Sequence, residues 1–289
     1  MNKLKILMLL SAVTASLSGM AEEPALQHAD CGRIERMRLF STQMNDTVTV
    51  DTWLPPVYDL AVAERFPVIY MHDGQNLYDA ATTWNRQSWE MDSVMCALLS
   101  AGKIEPAIIV GIHSDSATRV ADLMPQKAVE GSRALAETLE QVKLKGMTPR
   151  GDAYAAFMVE SLKPLIDSTY RTLPDMRHTT VMGSSMGGLM SIYALCEYPD
   201  VFGNALCLST HWIGAPAVAD EFTDAMFDYL DRKLPEAGDV DAGNGHKLYF
   251  DHGTETIDAY YGPSEERILT LVRSKGYGDG ILLNMVDVG

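Results

Sequence analysis

Two glycines bracket a serine in Gly183-Ser184-Ser185-Met186-Gly187, between a β-branched run (Thr179 to Val181) and an apolar helical pattern (Leu189 to Leu195). This is G-x-S-x-G in strand–turn–helix context, the spacing of a nucleophile elbow. The glycines leave room for a cramped turn on which a non-glycine residue is held at strained φ/ψ. Ser185 is the middle serine and the predicted nucleophile; Ser184 fills the variable position. The helix N-terminus behind it favours developing negative charge.

An acyl-transfer site also needs two backbone N–H groups for the oxyanion, an acid and a base. One N–H belongs to the residue after the nucleophile, here Met186. The other is expected from His72-Asp73-Gly74-Gln75-Asn76, with Gln75 the donor after the flexible Gly74. The order serine, acid, histidine puts the acid after the next-to-last strand, where Asp258 and Glu255 compete. Asp258 is preferred because it is nearer the next helix. The base is missing: histidines stand at 28, 72, 113, 178, 211, 246 and 252, and none follows Asp258. The expectation is a chain truncated at its C-terminus, with the catalytic histidine beyond Gly289. The alternative is an inactive or rewired site using His211 or His252.

Arg36 to Ser41 and Thr47 to Leu54 alternate in polarity and read as antiparallel edge strands. Phe66 to Met71 and Ala107 to Ile112 are continuous apolar runs, as in strands buried on both faces. Helices are expected at 89–100, 153–170 (interrupted at Pro164), 216–234 and 264–275, with strands at 205–209, 247–250 and 281–288. Residues 22–33 read as a flexible lead-in, and 116–150 as a long binding loop or lid. The alternation predicts one α/β domain over 22–289, with a mostly parallel central sheet, antiparallel N-terminal strands and helices on both faces.

Lys3 and Lys5 precede an apolar stretch from Ile6 to about Leu17, and Gly19-Met20-Ala21 supplies small residues. This reads as a signal peptide spanning 1–21, cleaved near Ala21, and hence a secreted or periplasmic protein without stable membrane insertion. Its removal leaves 21 basic against 39 acidic residues, a net charge of −18. Such a surface repels nucleic acid and suits a neutral substrate better than a polyanion. Of the four cysteines, Cys96, Cys196 and Cys207 lie in apolar patterns and read as buried thiols. No C-x-x-C pair or metal spacing occurs, and no cofactor is implied.

Val68 to Asp79, Gly183 to Gly188, Tyr198 to Gly203 and Asp251 to Thr256 together resemble an α/β-hydrolase family, the esterase family that includes esterase D, feruloyl and acetylxylan esterases, enterochelin esterases and mycolyltransferases. The resemblance covers roughly residues 33–289. It implies an α/β-hydrolase fold, Ser185 as nucleophile, Met186 and Gln75 as oxyanion donors, and an acid between Gly253 and Asp258. In that family the histidine follows the strand matching Ile281–Val288.

The expected function is hydrolysis of an acyl ester, feruloyl or acetyl, on a plant-type polysaccharide or a small molecule, through an acyl-enzyme. Trp84, Trp89, His211 and Trp212 fall near the site loops, where aromatic faces could stack on sugar rings or an aromatic acyl group. Arg119 could steer a carboxylate or a sugar hydroxyl. The alternatives are a siderophore-trilactone esterase and a non-catalytic carbohydrate-binding protein on a hydrolase scaffold.

Overall fold

The computed structural model describes residues 25–83, 85–133, 135, 148–214, 219–239, 242, 244–278 and 282–286. The expected signal peptide lies outside them. Among the described residues nine strands form a single sheet in the order β1-β2-β3-β5-β4-β6-β7-β8-β9. These are β1 Ala25–Gln27, β2 Arg33–Ser41, β3 Asp46–Leu54, β4 Val68–His72, β5 Ile108–Ile112, β6 Thr179–Ser184, β7 Asn204–Leu208, β8 Lys247–His252 and β9 Leu282–Val286. From β1 to β3, and from β3 to β5, pairing is antiparallel. From β5 through β4, β6, β7 and β8 to β9 every pair is parallel.

The sequence pattern explains this order. All five residues of β5 are buried, as a strand with helices on both faces requires. Alternate residues then divide between two cores. Val68, Tyr70, Ile108 and Val110 join the larger core, which also holds the central helix α6, Met186–Glu197. Met71 and Ile109 join the smaller core with Trp53 and Leu77, beneath α1, Met91–Ser100. Eleven residues of α6, all but Glu197, are buried, so it needs no polar face.

Four expectations are corrected. The lead-in is tied down: β1 pairs with β2, and a disulfide joins Cys31 to Cys96, so Cys96 is not a thiol. Cys196 and Cys207 are buried free thiols, as read. The segment after β5 carries two short helices, α2 Arg119–Asp122 and α3 Gln126–Gly131, rather than an irregular loop. The helix expected at 153–170 is continuous: α4, Gly151–Ala156, passes through π-helical turns at Phe157–Leu162 into α5, Lys163–Thr169. Pro164 cannot donate a backbone hydrogen bond, and a wider turn next to it absorbs the lost donor without breaking the helix. Two further helices, α7 Ala219–Lys233 and α8 Gly262–Ser274, cover the sheet toward its C-terminal strands.

Candidate active site

Ser185 joins β6 to α6 with φ 59 and ψ −119, a conformation L-residues rarely adopt. Its backbone is held on both sides: its N–H donates to the Leu208 carbonyl at 2.9 Å, and its carbonyl accepts from Gly188 at 2.9 Å and from His211 at 3.3 Å. The residue is half-buried, which leaves the side chain within reach of a ligand. The flanking glycines are set by contact. A Cβ on Gly183 would come within 2.8 Å of both the Gly187 backbone and the His72 ring. One on Gly187 would lie 3.3 Å from His72 Cβ.

His72 therefore packs against the elbow and is not a loop residue. It ends β4, fully buried, with Nδ1 2.9 Å from the Tyr154 hydroxyl. Burial pushes its pKa down to about 4, so it is neutral and cannot act as an exposed base at ordinary pH.

The chain leaves β4 through Asp73, which is in the left-handed region at φ 58 and ψ 45. A single turn, Gly74–Asn76, follows. Gly74 lies so close to β5 that a Cβ there would meet the Gly111 carbonyl carbon at 2.5 Å. The Gln75 side-chain oxygen accepts from the Ser114 N–H at 2.9 Å, which ties the residue to the end of β5, and its backbone N–H donates to no backbone carbonyl among the described residues. Met186 begins α6, where a backbone N–H has no intrahelical partner. Beside the Gly74–Gln75 turn opens a cleft of about 370 Å³, lined by five carboxylates, Asp30, Asp51, Asp79, Glu90 and Asp92, with Arg36 among the other lining residues. Arg36 is already spent in a bidentate pair with Asp51, at 2.6 Å on each arm.

Of the two acid candidates, Asp258 is the one with hydrogen bonds to the sheet ends. Its Oδ2 accepts from Ser209 Oγ at 2.7 Å and from the Gly253 N–H at 3.0 Å, which binds it to the C-terminal ends of β7 and β8. Glu255 is exposed. Ser209 was not foreseen; its N–H also donates to Asp251 Oδ1 at 2.9 Å. Among the described residues no hydrogen bond joins a histidine ring to the Ser185 hydroxyl. His211 gives its Nδ1 to the Tyr261 hydroxyl at 2.7 Å, and burial lowers its pKa. His252 is buried at the end of β8, with Nδ1 unpartnered.

A match to the family described as Putative esterase spans residues 41–259. The chain belongs to that family. A xylanase/feruloyl esterase of Xylanibacter ruminicola is 26% identical over 178 residues, 60% of this chain and 21% of that protein. The uncharacterized Bacillus subtilis protein YjcH is 26% identical over 181 residues, 62% of each chain, so the chain spans under two thirds of these relatives. Among solved structures, a ferulic acid esterase superposes with TM-score 0.61 at 17% identity, covering 89% of both chains. The enterobactin esterase of Shigella flexneri superposes with TM-score 0.65 at 17% identity, covering 92% of this chain and 55% of its own. The fold is that of the α/β hydrolases.

Within this family member, the aromatic residues expected to meet substrate are distributed otherwise. Trp212 is fully buried, stacked on Phe227 with centroids 5.3 Å apart, and belongs to the core. Its ring also packs on Phe250, with centroids 6.2 Å apart. Trp89 is half-buried against the smaller core, and its backbone N–H donates to the Asn76 carbonyl at 2.8 Å. Trp84 lies outside the described residues. Arg119 does not steer freely: its Nε and Nη2 bind Asp73 Oδ1 and Oδ2, each at 2.7 Å. Burial opposes the ionised form of Asp73, but the Arg119 hydrogen bonds and charge outweigh it and hold the carboxyl below the usual range. Residues 46 positions apart meet here, which no local pattern in the sequence could signal.

Among the described residues no group of three or more His, Cys, Asp or Glu side chains could hold a metal ion. No helix among them is long and apolar enough to cross a membrane.

Proposed function

We propose that this protein is a secreted or periplasmic serine ester hydrolase that removes feruloyl or acetyl groups from a plant-type polysaccharide. The observation that carries the reading is Ser185, held at φ 59 between strand and helix with its side chain accessible. Its Oγ attacks the ester carbonyl while a base takes the hydroxyl proton. The oxyanion so formed lies between the N–H groups of Met186 and Gln75, each worth on the order of 3 kcal/mol of transition-state stabilisation. The carbon–oxygen bond to the alcohol then breaks, and the departing oxygen takes the proton. Water repeats the sequence on the acyl-enzyme and frees Ser185. Asp258, held at the ends of β7 and β8 by Ser209 and Gly253, orients the base that takes and returns the proton.

The polysaccharide substrate is supported by the feruloyl esterase relative and by the chain's acidic balance, which disfavours anionic ligands. The Cys31–Cys96 disulfide supports export, because such bonds persist in oxidising compartments. A second reading, cleavage of a siderophore trilactone, draws on the enterobactin esterase likeness. Turnover of methyl ferulate, an acetylated xylo-oligosaccharide and a catecholate trilactone by the full chain separates the two. The expected result is turnover of the first two, lost in Ser185→Ala. Sugar binding without turnover of any ester would favour a binding protein on a hydrolase scaffold.

A further inference from the structure

We propose that Arg119 is the positioning residue of the oxyanion loop: through its two hydrogen bonds to Asp73 it fixes the turn that aims the Gln75 N–H. The inference rests on the elbow reading above and adds to it a residue that touches no reacting atom. Asp73 is a non-glycine residue at φ 58, in the left-handed region that side chains other than glycine adopt rarely and that its surroundings help to hold. The residue is 2% exposed, so its carboxylate charge needs a partner. Arg119 supplies one in fork geometry, 2.7 Å on each arm, from the first residue of α2.

The start of α2 is itself anchored. Asp115 accepts from the Arg119 N–H at 2.7 Å through its carbonyl and from the Ala117 N–H at 2.8 Å through Oδ1. The same segment grips the turn a second time, where the Ser114 N–H donates to Gln75 Oε1 at 2.9 Å. Gly74, against Gly111, closes the third side. The peptide that must present an N–H to an oxyanion is thus held by a charged fork before it, a backbone wall beneath it and an amide clamp on its own side chain. Lysine cannot reproduce the fork, because it offers a point charge rather than two parallel donors. A donor displaced by about 1 Å loses most of its value to the transition state while ground-state binding barely changes.

Arg119→Ala and Arg119→Lys in the full chain test this, with kcat and KM for p-nitrophenyl acetate and amide hydrogen exchange at residues 74–76. The expected result for both variants is a fall in kcat of about 100-fold with KM within about twofold, the size expected for loss of one oxyanion donor. Exchange of the Asn76 amide, which donates to the Asp73 carbonyl at 2.9 Å, accelerates at least tenfold, while amides in β4 stay protected. Exchange needs no turnover, so it decides the matter for any variant too slow to assay. Unchanged exchange at Asn76, or rescue of kcat by lysine, overturns the proposal. Retention of turnover by Ser185→Ala instead overturns the elbow reading and takes the proposal with it.

Discussion

Glu265 gives the sharpest quantitative test of the packing behind the acid loop. It lies in the first turn of α8, 3% exposed, with neither carboxylate oxygen hydrogen-bonded among the described residues. Burial pushes its pKa up to about 7; the Trp212 indole, short of full hydrogen-bond geometry, eases the shift, and the charge of Asp251 adds to it. Asp251 in turn holds Ser209, and Ser209 holds Asp258. The folded chain therefore keeps a proton that the unfolded chain loses near pH 4.5. The raised pKa contributes stability that is complete below pH 4.5 and is lost as pH rises through 7. At about 1.4 kcal/mol per pKa unit, most of a contribution of about 3 kcal/mol disappears between pH 5 and pH 8. Glu265→Gln keeps the shape and removes the titration. Its stability relative to the parent should improve by about 2–3 kcal/mol from pH 5 to pH 8, read from urea unfolding at each pH. A gap that does not change with pH refutes the reasoning. The variant should also uncover the opposite slope of His72, whose pKa is depressed from 6.5 to about 4, so that its contribution is present above pH 6.5 and is lost as pH falls through 4.

Three further outcomes are expected. Cys31→Ser opens a crosslink spanning 65 residues and should cost about 4 kcal/mol in non-reducing urea, and the parent in dithiothreitol should fall to the same midpoint; a parent indifferent to reductant contradicts the bond. Asp258→Asn should lower kcat by about 10⁴-fold, as expected for a mis-set base, while Glu255→Gln stays within about twofold; the reverse pattern exchanges the two assignments. Trp212→Ala should destabilise by about 3–5 kcal/mol, and a changed KM with unchanged stability would return that indole to the substrate site.

The elbow was legible because the turn admits only certain residue types. A side chain on Gly183 would collide with the Gly187 backbone at 2.8 Å and one on Gly187 would crowd His72 at 3.3 Å, so the chemistry is written as a local pattern. The buried strands were equally legible, since β4 and β5 carry apolar residues for two cores at once. What escaped was everything decided by distance across the fold. The partner of Cys31 is 65 residues away, Arg119 finds Asp73 across 46, and Ser209 reaches Asp258 across 49. Trp212 misled for a related reason: it follows a site strand in sequence, yet its ring turns inward onto Phe227 and Phe250. The short helices after β5 carry too few apolar positions to show a helical period, and packing rather than propensity forms them.

The central claim is that Ser185 takes the acyl group. The most direct measurement is reaction of the full chain with a fluorophosphonate, followed by intact mass and peptide mapping. The account expects one adduct, on the Ser185 peptide, absent from Ser185→Ala and from heat-unfolded protein. No adduct on the folded protein, or one that persists in Ser185→Ala, contradicts it.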